Sequence, residues 1–363
     1  MSTLRVLHVV TYMGLGGLET MLMNYYRKID REKIQFDFLV HRNESAYYDN
    51  EIANLGGKIH RVPRLNPFSK AYKDSLKSFF KSHPEYKIVH VHQDCLSGII
   101  LKVAKECGIP VRIAHSHSSS QDKNFKYIIK LIYKGLIPKY ATHLFACGKK
   151  AGDWMFTGAK FDVLNNAIEA KKYTFSQEKR NQMRTALNIS ADKFVIGHVG
   201  RFSKPKNHSF LIKIFAEILK ETDALLLLVG DGHYRPNIEA QAKQLGIYNK
   251  IFFLGNSTDV CDIMQAMDIF VFPSIYEGLG IVAIEAQAAG LPCVISNEVP
   301  TEAILTDSVC QLPLNVPLKL WAQKINELKT LNRHNTLKQI QKHGYDIDDN
   351  VTRLENFYFN LWS

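Results

Sequence analysis

The stretch DIFVFPSIYEGLGIVAIEA, residues 268–286, decides the fold of this 363-residue chain. Its first part is a short, continuously apolar run that predicts a buried strand, and its last part is an alanine-rich run that predicts a helix. Between them, Gly278 and Gly280 predict a tight turn. A buried strand that leads through a glycine turn into a helix is the repeating unit of a doubly wound α/β sheet.

The same alternation runs along the whole chain. In the first half, apolar runs that predict strands lie at 4–12, 34–41, 58–62, 87–92, 111–115 and 142–146. In the second half, they lie at 194–200, 224–230, 250–255, 268–273 and 292–296. These runs are continuous rather than alternating, which indicates parallel sheets covered on both faces. Each half is therefore predicted to be a Rossmann-like unit, with a boundary in the polar stretch 165–184 and a ligand-binding cleft between the two units.

Composition excludes several classes of protein. Apolar residues make up 46% of the chain and charged residues 22%, which is close to the globular average and excludes disorder, collagen and coiled coil. The six cysteines are widely spaced and form no C-x-x-C pair. The N-terminal residues do not resemble a signal peptide, and no apolar window is long enough to span a bilayer. We therefore expect a protein of the reducing cytoplasm.

The basic residues are unevenly distributed. The chain has 46 Lys and Arg against 35 Asp and Glu, and residues 1–170 hold 25 of the basic and 15 of the acidic side chains. Within 121–150 there are seven lysines and a single acid, Asp122, interleaved with large apolar residues. The basic surplus of residues 1–170 indicates an anionic partner for the first half, either membrane lipid or nucleic acid. The segment 123–135 is predicted to be a basic amphipathic helix that meets an anionic membrane surface. A helix that packs on the core and leaves its lysines in water is the alternative.

The first strand is followed by the turn GLGGLE, residues 14–19. A dinucleotide fingerprint needs a small residue where Glu19 stands, so a dehydrogenase is disfavoured. A glycine turn at a helix start still lets backbone amides approach an anion, and an ordinary tight turn is the alternative. Gly16 and Gly17 are therefore candidate phosphate contacts.

Four histidines cluster at two strand ends, at His90, His92, His115 and His117. Residues two apart in a strand share a face, so each pair points in one direction. No carboxylate or cysteine accompanies them at a usual spacing, so we expect no metal site. One interpretation is that all four are structural histidines. The other is that either His115 or His117 contacts the substrate, because serines make the loop around them polar.

The second half carries two more specific motifs. GRFSKPKN, residues 200–207, follows a predicted strand, and its Arg201 and Lys206 suit a diphosphate, with Lys204 able to share the role. A solvated charge pair is the alternative. In the turn of residues 273–280, Glu277 is placed to accept hydrogen bonds from sugar hydroxyls, and Glu285 lies inside the next helix. The backbone amides of residues 279–281 open that helix and suit a phosphate.

Together, the motifs GGLE, HSH, GRF-x-x-x-KN, GDG, FLG and PS-x-YEG-x-G-x-x-x-x-EA resemble glycosyltransferase family 4. Members of that family are retaining, nucleotide-sugar-dependent enzymes of the GT-B fold. The motif HSHSSSQD, residues 115–122, resembles the subgroup that builds bacterial capsular and exopolysaccharides. The resemblance implies an α/β GT-B chain with an N-terminal acceptor-side domain, 1–170 plus 346–363, and a C-terminal nucleotide-sugar-binding domain, 171–345.

The resemblance also implies roles for single residues. In the first domain, Gly16 and Gly17 would contact the donor phosphates or the acceptor, and His115 would lie near the transferred sugar, with His117 as the alternative. In the second domain, Arg201 and Lys206 would bind the donor diphosphate, and Glu277 would bind hydroxyls of the sugar. Glu285 would bind the ribose, and Asn256 would contact the base. The amides of Leu279, Gly280 and Ile281, which suit a phosphate by their position at the helix start, complete the candidate donor site.

The resemblance implies transfer of a hexosyl or N-acetylhexosaminyl group from a nucleotide-diphosphate sugar, with a UDP-sugar expected, to a lipid-linked glycan acceptor. It implies no bound metal, no other cofactor and no nucleic-acid partner. The expected location is the cytoplasm, at the inner face of the cell membrane. A nucleotide-sugar 2-epimerase and a non-catalytic nucleotide-sugar-binding subunit stay open as alternatives.

Overall fold

The computed structural model describes residues 3–118 and 127–362, which fold into two compact units. Unit 1 spans Met1–Ile168 and Asp346–Ser363, and unit 2 spans Glu169–Tyr345. Each unit contains one sheet of parallel strands connected by helices, so the prediction of two Rossmann-like units is confirmed. The assignment of unit 1 to the acceptor and unit 2 to the nucleotide sugar stays a prediction.

Unit 1 contains a seven-stranded sheet in the order β3-β2-β1-β4-β5-β6-β7. Its strands are β1 (Leu4–Val10), β2 (Ile34–Val40), β3 (Ile59–Arg61), β4 (Ile88–Val91), β5 (Val111–Ser116), β6 (His143–Ala146) and β7 (Asp162–Val163). Its helices begin with α1 (Gly17–Lys28), α2 (Asp49–Asn54), α3 (Lys70–Ser82), α4 (Ser97–Glu106), α5 (Tyr127–Tyr140) and α6 (Lys149–Phe156).

Unit 2 contains a six-stranded sheet in the order β10-β9-β8-β11-β12-β13. Its strands are β8 (Phe194–Val199), β9 (Ala224–Val229), β10 (Ile251–Gly255), β11 (Ile269–Phe272), β12 (Cys293–Ser296) and β13 (Val309–Leu312). Its helices are α7 (Ala170–Tyr173), α8 (Gln177–Ala186), α9 (His208–Ile218), α10 (Arg235–Gln244), α11 (Val260–Ala266), α12 (Ile281–Ala288), α13 (Leu318–Leu328) and α14 (Leu337–Lys342). The last helix, α15 (Ile347–Trp362), belongs to unit 1.

The continuous apolar strands are explained by burial on both faces of the sheet. In β1, Val6 and Val10 pack in one core with residues of α1 and α15, whereas Leu7 and Val9 pack in a second core with residues of α3 and α4. Side chains that alternate between two covered faces are mostly apolar, which removes the polar alternation of a half-exposed strand. The buried polar residues in these strands, such as His8 in β1, are exceptions.

Two strands were not predicted, and both lie at sheet edges. β7 is only two residues long, and all four residues of β13 are partly exposed, so neither gives a strong apolar run. The predicted helix 123–135 falls partly outside the described residues, and the part that is described begins at Tyr127. None of the helices in 3–118 and 127–362 has both the length and the apolar character needed to cross a membrane.

Candidate functional site

The sheet of unit 2 changes direction between β8 and β11. β9 and β10 extend the sheet on one side of β8, while β11 to β13 extend it on the other side. Loops that follow the two central strands diverge at such a point and leave a crevice, which is where doubly wound sheets bind ligands. The motif of residues 200–207 follows β8 and the motif of residues 273–280 follows β11. The two most specific motifs of the second half therefore lie side by side at the expected binding position.

Lys206 and Glu277 form an ion pair in this crevice. The Nζ atom of Lys206 lies 2.6 Å from Oε1 of Glu277, and it also lies 4.7 Å from the centre of the Phe272 ring. The two charged side chains are only 22% and 11% exposed. Because both charges are largely withdrawn from water, removing one of them leaves the other poorly solvated. The structure thus brings two predicted site residues into direct contact.

Backbone and amide contacts join the two motif loops. The backbone N–H of Ile275 donates a hydrogen bond to the carbonyl oxygen of Pro205 at 2.7 Å, and Nδ2 of Asn207 donates to the carbonyl oxygen of Pro273 at 3.1 Å. Asn207 has a left-handed backbone with φ 55° and directly precedes α9. These bonds fix the loops relative to each other, so the Lys206 and Glu277 side chains are held by a rigid frame.

Arg201 and Lys204 supply positive charge that is not neutralised by such a pair. Both side chains are exposed at the end of β8. In the described parts of the chain, neither side chain takes part in an ion pair. An exposed guanidinium can form two parallel hydrogen bonds with a phosphate group. The crevice therefore contains a cation pair that is open to an anion.

The start of α12 offers backbone donors directly after the loop that contains Glu277. Gly280 precedes the helix with φ 81°, a conformation that favours glycine, and Leu279 next to it is buried. Glycine has no side chain to accept the first amide hydrogens of the helix, so these N–H groups stay available to a ligand. An additional Cβ at Gly280 would also lie 3.2 Å from Val299.

Glu285 lies inside α12 and is paired with a tyrosine. Burial raises the pKa of Glu285 to about 7, while a hydrogen bond from Tyr173 and the charge of Lys206 act in the opposite direction. Burial and the neighbouring Glu285 charge raise the pKa of Tyr173 well above its ordinary value. A carboxyl group with such a pKa can both accept and donate hydrogen bonds at neutral pH. Sequence reasoning missed Tyr173, because it lies in the polar stretch assigned to the domain boundary.

The neighbouring strand β9 ends at a glycine that allows close approach of two loops. Gly230 has φ 126°, and a Cβ there would lie 2.3 Å from the carbonyl oxygen of Gly200. Its N–H donates to the carbonyl oxygen of Gly255 at 2.7 Å. Asn256 follows Gly255 at the end of β10 and is exposed. Asn256 therefore lies at the same carboxyl edge of the sheet as the motif after β8.

In unit 1, the turn of residues 14–19 also lies at a reversal of strand order, between β1 and β4. The side chain of Glu19 folds back over the turn, so that a Cβ on Gly16 would lie 2.3 Å from Oε2 of Glu19. Burial raises the pKa of Glu19. A carboxylate therefore lies against the turn where Gly16 and Gly17 are predicted to contact a phosphate or the acceptor. The sequence did not indicate this contact.

Five histidines form one layer on the face of the unit 1 sheet that α15 covers, and we call them the histidine layer: His8, His90, His92, His115 and His117. The two nitrogens of His115, which is 2% exposed, have no partner among the described residues. Nδ1 of His90 lies 2.8 Å from the Tyr358 hydroxyl of α15. Sequence reasoning missed His8, although its place in a strand next to β4 is a signal that could have found it.

Two sets of three histidines within this layer are close enough to hold a metal ion. They are His8, His90 and His92, and His92, His115 and His117, with ligand atoms within 4.8 Å of one another. Each set consists of neutral imidazoles without a carboxylate, so a divalent ion would bring an uncompensated charge into a buried layer. Several of these nitrogens already face one another at hydrogen-bond distance. The expectation of no metal site stays a prediction.

Comparison with known proteins identifies the family. The family model described as "Glycosyl transferases group 1" matches residues 179–346. EpsF of Bacillus subtilis (strain 168), which is named as a glycosyltransferase, is 38% identical over 98% of this chain and 97% of its own length. An Escherichia coli protein named UDP-Gal:alpha-D-GlcNAc-diphosphoundecaprenol alpha-1,3-galactosyltransferase is 26% identical over 82% of this chain and 80% of its own length.

Solved structures give the same fold. The crystal structure of Anabaena Alr3699/HepE in complex with UDP matches with a TM-score of 0.82 at 18% identity, and the match covers 98% of this chain and 100% of that one. This likeness confirms the predicted GT-B fold. The relationship to EpsF extends over almost the whole of both chains and agrees with the family model and the fold. This chain therefore belongs to the glycosyl transferases of group 1.

Proposed function

We propose that this glycosyltransferase moves a sugar, with retention of its anomeric configuration, from a UDP-sugar to a lipid-linked glycan acceptor in the synthesis of a bacterial surface polysaccharide. The observation that carries the proposal is the crevice between β8 and β11, where the Lys206–Glu277 pair joins the loop that contains Arg201 to the loop that leads into α12. The name of the Escherichia coli relative, which includes a UDP-sugar and a diphosphoundecaprenol-linked sugar, and the UDP in the Anabaena structure support it.

Each residue of the crevice has a proposed role that fits its chemistry. Arg201 and Lys206 bind the diphosphate together with the backbone amides of Leu279, Gly280 and Ile281. Glu277 accepts hydrogen bonds from hydroxyls of the transferred sugar, and Lys206 holds it in place at 2.6 Å. Glu285 binds the ribose hydroxyls, and Asn256 contacts the base. In unit 1, Gly16 and Gly17 contact the donor phosphates or the acceptor, and His115 or His117 contacts the sugar.

The proposed reaction needs charge stabilisation more than it needs a protein nucleophile. The bond between the anomeric carbon and the diphosphate breaks, and the acceptor oxygen forms its bond to that carbon on the same face. The proton of the acceptor hydroxyl passes to the leaving diphosphate. Negative charge grows on the diphosphate during this step, and Arg201, Lys206 and the α12 amides stabilise it. The chain supplies these cations itself, so we propose that transfer is independent of a metal ion.

The test of this function is transfer by the purified full chain from UDP-, GDP- and ADP-sugars, with and without a lipid-linked glycan acceptor, in the presence of EDTA. We expect a new glycoside with UDP-sugars only when the acceptor is present, and an unchanged rate with EDTA. Isomerised nucleotide sugar formed without acceptor would instead identify an epimerase. Loss of transfer in EDTA with rescue by a divalent ion would contradict metal independence.

We further propose that unit 1 binds the surface of an anionic membrane, where a lipid-linked acceptor is found. α5 exposes Ile128 (69%) and Ile132 (61%), and of its apolar residues only Ile137 is buried. The hydroxyl of Tyr133 donates to the carbonyl oxygen of Pro67 at 3.2 Å, so the loop with Phe68, which is 71% exposed, lies beside this helix. Exposed apolar side chains among lysines are typical of an interfacial membrane helix rather than of a helix that only packs on the core.

Liposome co-sedimentation tests this membrane proposal. Each lysine near an anionic surface contributes about 1 kcal/mol, so the Lys126→Glu, Lys130→Glu, Lys134→Glu variant is expected to lose most of its binding to anionic liposomes. Lys126 lies outside the described residues, and Lys134 also packs on the Trp154 ring at 4.7 Å. Wild-type binding should require anionic lipid and fall with salt.

The matched control changes three exposed lysines of unit 2 by the same charge, Lys213→Glu, Lys319→Glu and Lys338→Glu. We expect this control to bind as the wild type does. A second variant, Ile128→Ser with Ile132→Ser, keeps the lysines and is expected to weaken binding through lost apolar contact. Undiminished binding by the α5 lysine variant would contradict the proposed surface.

A further inference from the structure

Three rings of the histidine layer form a continuous chain of hydrogen bonds. Nδ1 of His8 lies 3.1 Å from Nε2 of His92, and Nδ1 of His92 lies 2.9 Å from Nε2 of His117. His92 therefore uses both of its nitrogens within this chain, while His8 and His117 each use one. Nε2 of His8 and Nδ1 of His117 are buried and have no partner among the residues that the structure describes.

The chain can have only two proton arrangements. Burial lowers the pKa of His8 and His117 to about 3 and that of His92 well below its ordinary value, so each ring is neutral and carries one N–H. Because His92 has one N–H and two partners, it donates to one of them and accepts from the other. All bonds therefore point either towards His117 or towards His8, and the tautomers of the three rings are fixed together.

The surroundings of the two chain ends favour one direction. Beside the other histidines of the layer, the ring of His8 packs against two phenylalanines, with its centre 4.2 Å from that of Phe36 and 5.8 Å from that of Phe38. His117 follows β5 at the carboxyl edge of the sheet and is partly exposed. A buried N–H without an acceptor is less tolerated than a buried lone pair. The N–H group that has no partner within the chain is therefore better placed on Nδ1 of His117. A small movement of this ring would bring the N–H within reach of a ligand oxygen.

We propose that His92, held in turn by His8, is a positioning residue that fixes His117 as the Nδ1–H tautomer, so that His117 donates a hydrogen bond to an oxygen of the sugar substrate. The identity of that ligand rests on the proposed function, whereas the tautomer does not. His115 stacks on His117 with ring centres 4.1 Å apart and takes no part in the chain. The proposal thus selects His117 from the pair that the sequence left open.

The tautomer is measured directly from the ¹⁵N chemical shifts of the histidine side chains in the full-length protein. We expect His117 to be protonated at Nδ1 in the wild type and to gain Nε2 protonation in His92→Phe, where the donor is lost. His92→Gln, whose amide can accept from His8 and donate to His117, should restore the Nδ1–H form. A wild-type His117 protonated at Nε2 would overturn the proposal.

Kinetics separate the tautomer from its use in the reaction. We expect His92→Phe to lower kcat/KM for the sugar donor about tenfold, the size of one hydrogen bond, and His92→Gln to recover most of it. His90→Phe is the control, because His90 lies in the same layer but bonds to Tyr358 at 2.8 Å and not to the chain. An equal loss in His90→Phe, with an unchanged His117 tautomer, would indicate a packing effect and overturn the positioning role.

A metal ion is the competing explanation of the same cluster. Titration with Zn²⁺ in the same NMR experiment is expected to leave the shifts of His92, His115 and His117 unchanged. Stoichiometric binding that moves these three residues together would overturn the hydrogen-bonded chain and identify a metal site. If the wild-type protein shows the Nδ1–H tautomer of His117 but no transfer activity, this result would contradict the proposed function and would still support the hydrogen-bonded chain of histidines.

Discussion

Replacing Arg201 with alanine is expected to lower kcat/KM for the nucleotide sugar by about 100- to 1000-fold, the usual effect of losing one well-placed charge stabiliser. Arg201 is exposed and makes no ion pair within the described residues, so the free energy of unfolding should stay within about 0.5 kcal/mol of the wild type. Steady-state kinetics and urea unfolding on the same preparation measure both quantities. A folded Arg201→Ala protein with wild-type kcat/KM would contradict the role in diphosphate binding.

Lys206→Ala is expected to lose activity to a similar extent, and in addition to lose stability. Its removal leaves the Glu277 carboxylate, which is 11% exposed, without its partner at 2.6 Å. Lys206→Ala with Glu277→Gln should recover stability and not activity, because the second change removes the unpaired charge. Lys204→Ala is the matched control, since Lys204 is exposed in the same motif. A loss of 100-fold in Lys204→Ala alone would transfer the diphosphate role to that lysine.

Mild acid is expected to unfold unit 1. Burial holds the pKa of His8 and His117 at about 3, and those of His90, His92 and His115 well below the ordinary value, so the native histidine layer stays neutral. The unfolded chain binds protons at these five residues below its histidine pKa of about 6.5. The free energy of unfolding is therefore at its full value above that pH and decreases below it. The decrease is about 1.4 kcal/mol per pH unit for each histidine, or about 7 kcal/mol per pH unit for all five.

A domain of ordinary stability, about 5–15 kcal/mol, would then unfold near pH 5. Urea unfolding at pH 7.5, 6.5 and 5.5, followed by tryptophan fluorescence, measures this loss. Trp321 is buried in unit 2, so the Trp321→Phe protein reports on unit 1 through Trp154 and Trp362. His8→Phe should reduce the pH slope by about one proton, or about 1.4 kcal/mol per pH unit. Equal stability of unit 1 at pH 7.5 and 5.5 would contradict a neutral layer.

The secondary structure was largely predictable because buried parallel strands leave a simple signal. The run 224–230 is predicted as a strand and β9 spans Ala224–Val229, and the run 34–41 is predicted as a strand and β2 spans Ile34–Val40. The strands β7 and β13 are not predicted because β7 is only two residues long and all four residues of β13 are partly exposed, so neither gives a strong apolar run. The motifs in turns were also visible, since glycine and charged residues interrupt apolar runs.

The contacts within the candidate site could not be predicted in the same way. Tyr173 lies in the polar stretch that is predicted as the domain boundary. It forms a hydrogen bond with Glu285, which is more than a hundred positions away along the chain. Lys206 pairs with Glu277 because β8 and β11 are neighbours in the sheet. The order of strands in a sheet cannot be predicted from the sequence of any single strand. A contact between distant segments depends on topology, while a local pattern depends only on neighbours in the sequence.

By itself, the sequence determined that this chain forms two α/β units with charged and glycine-rich turns at the ends of their strands, because burial on both sheet faces and turn geometry act on short segments. Only the tertiary structure decided which of those turns meet. Strand order placed the loops of β8 and β11 together, and it stacked His8 from β1 against His92 after β4. The physical reason is that hydrogen bonding and charge pairing act over a few ångströms, and only the folded sheet brings such distant residues within that range.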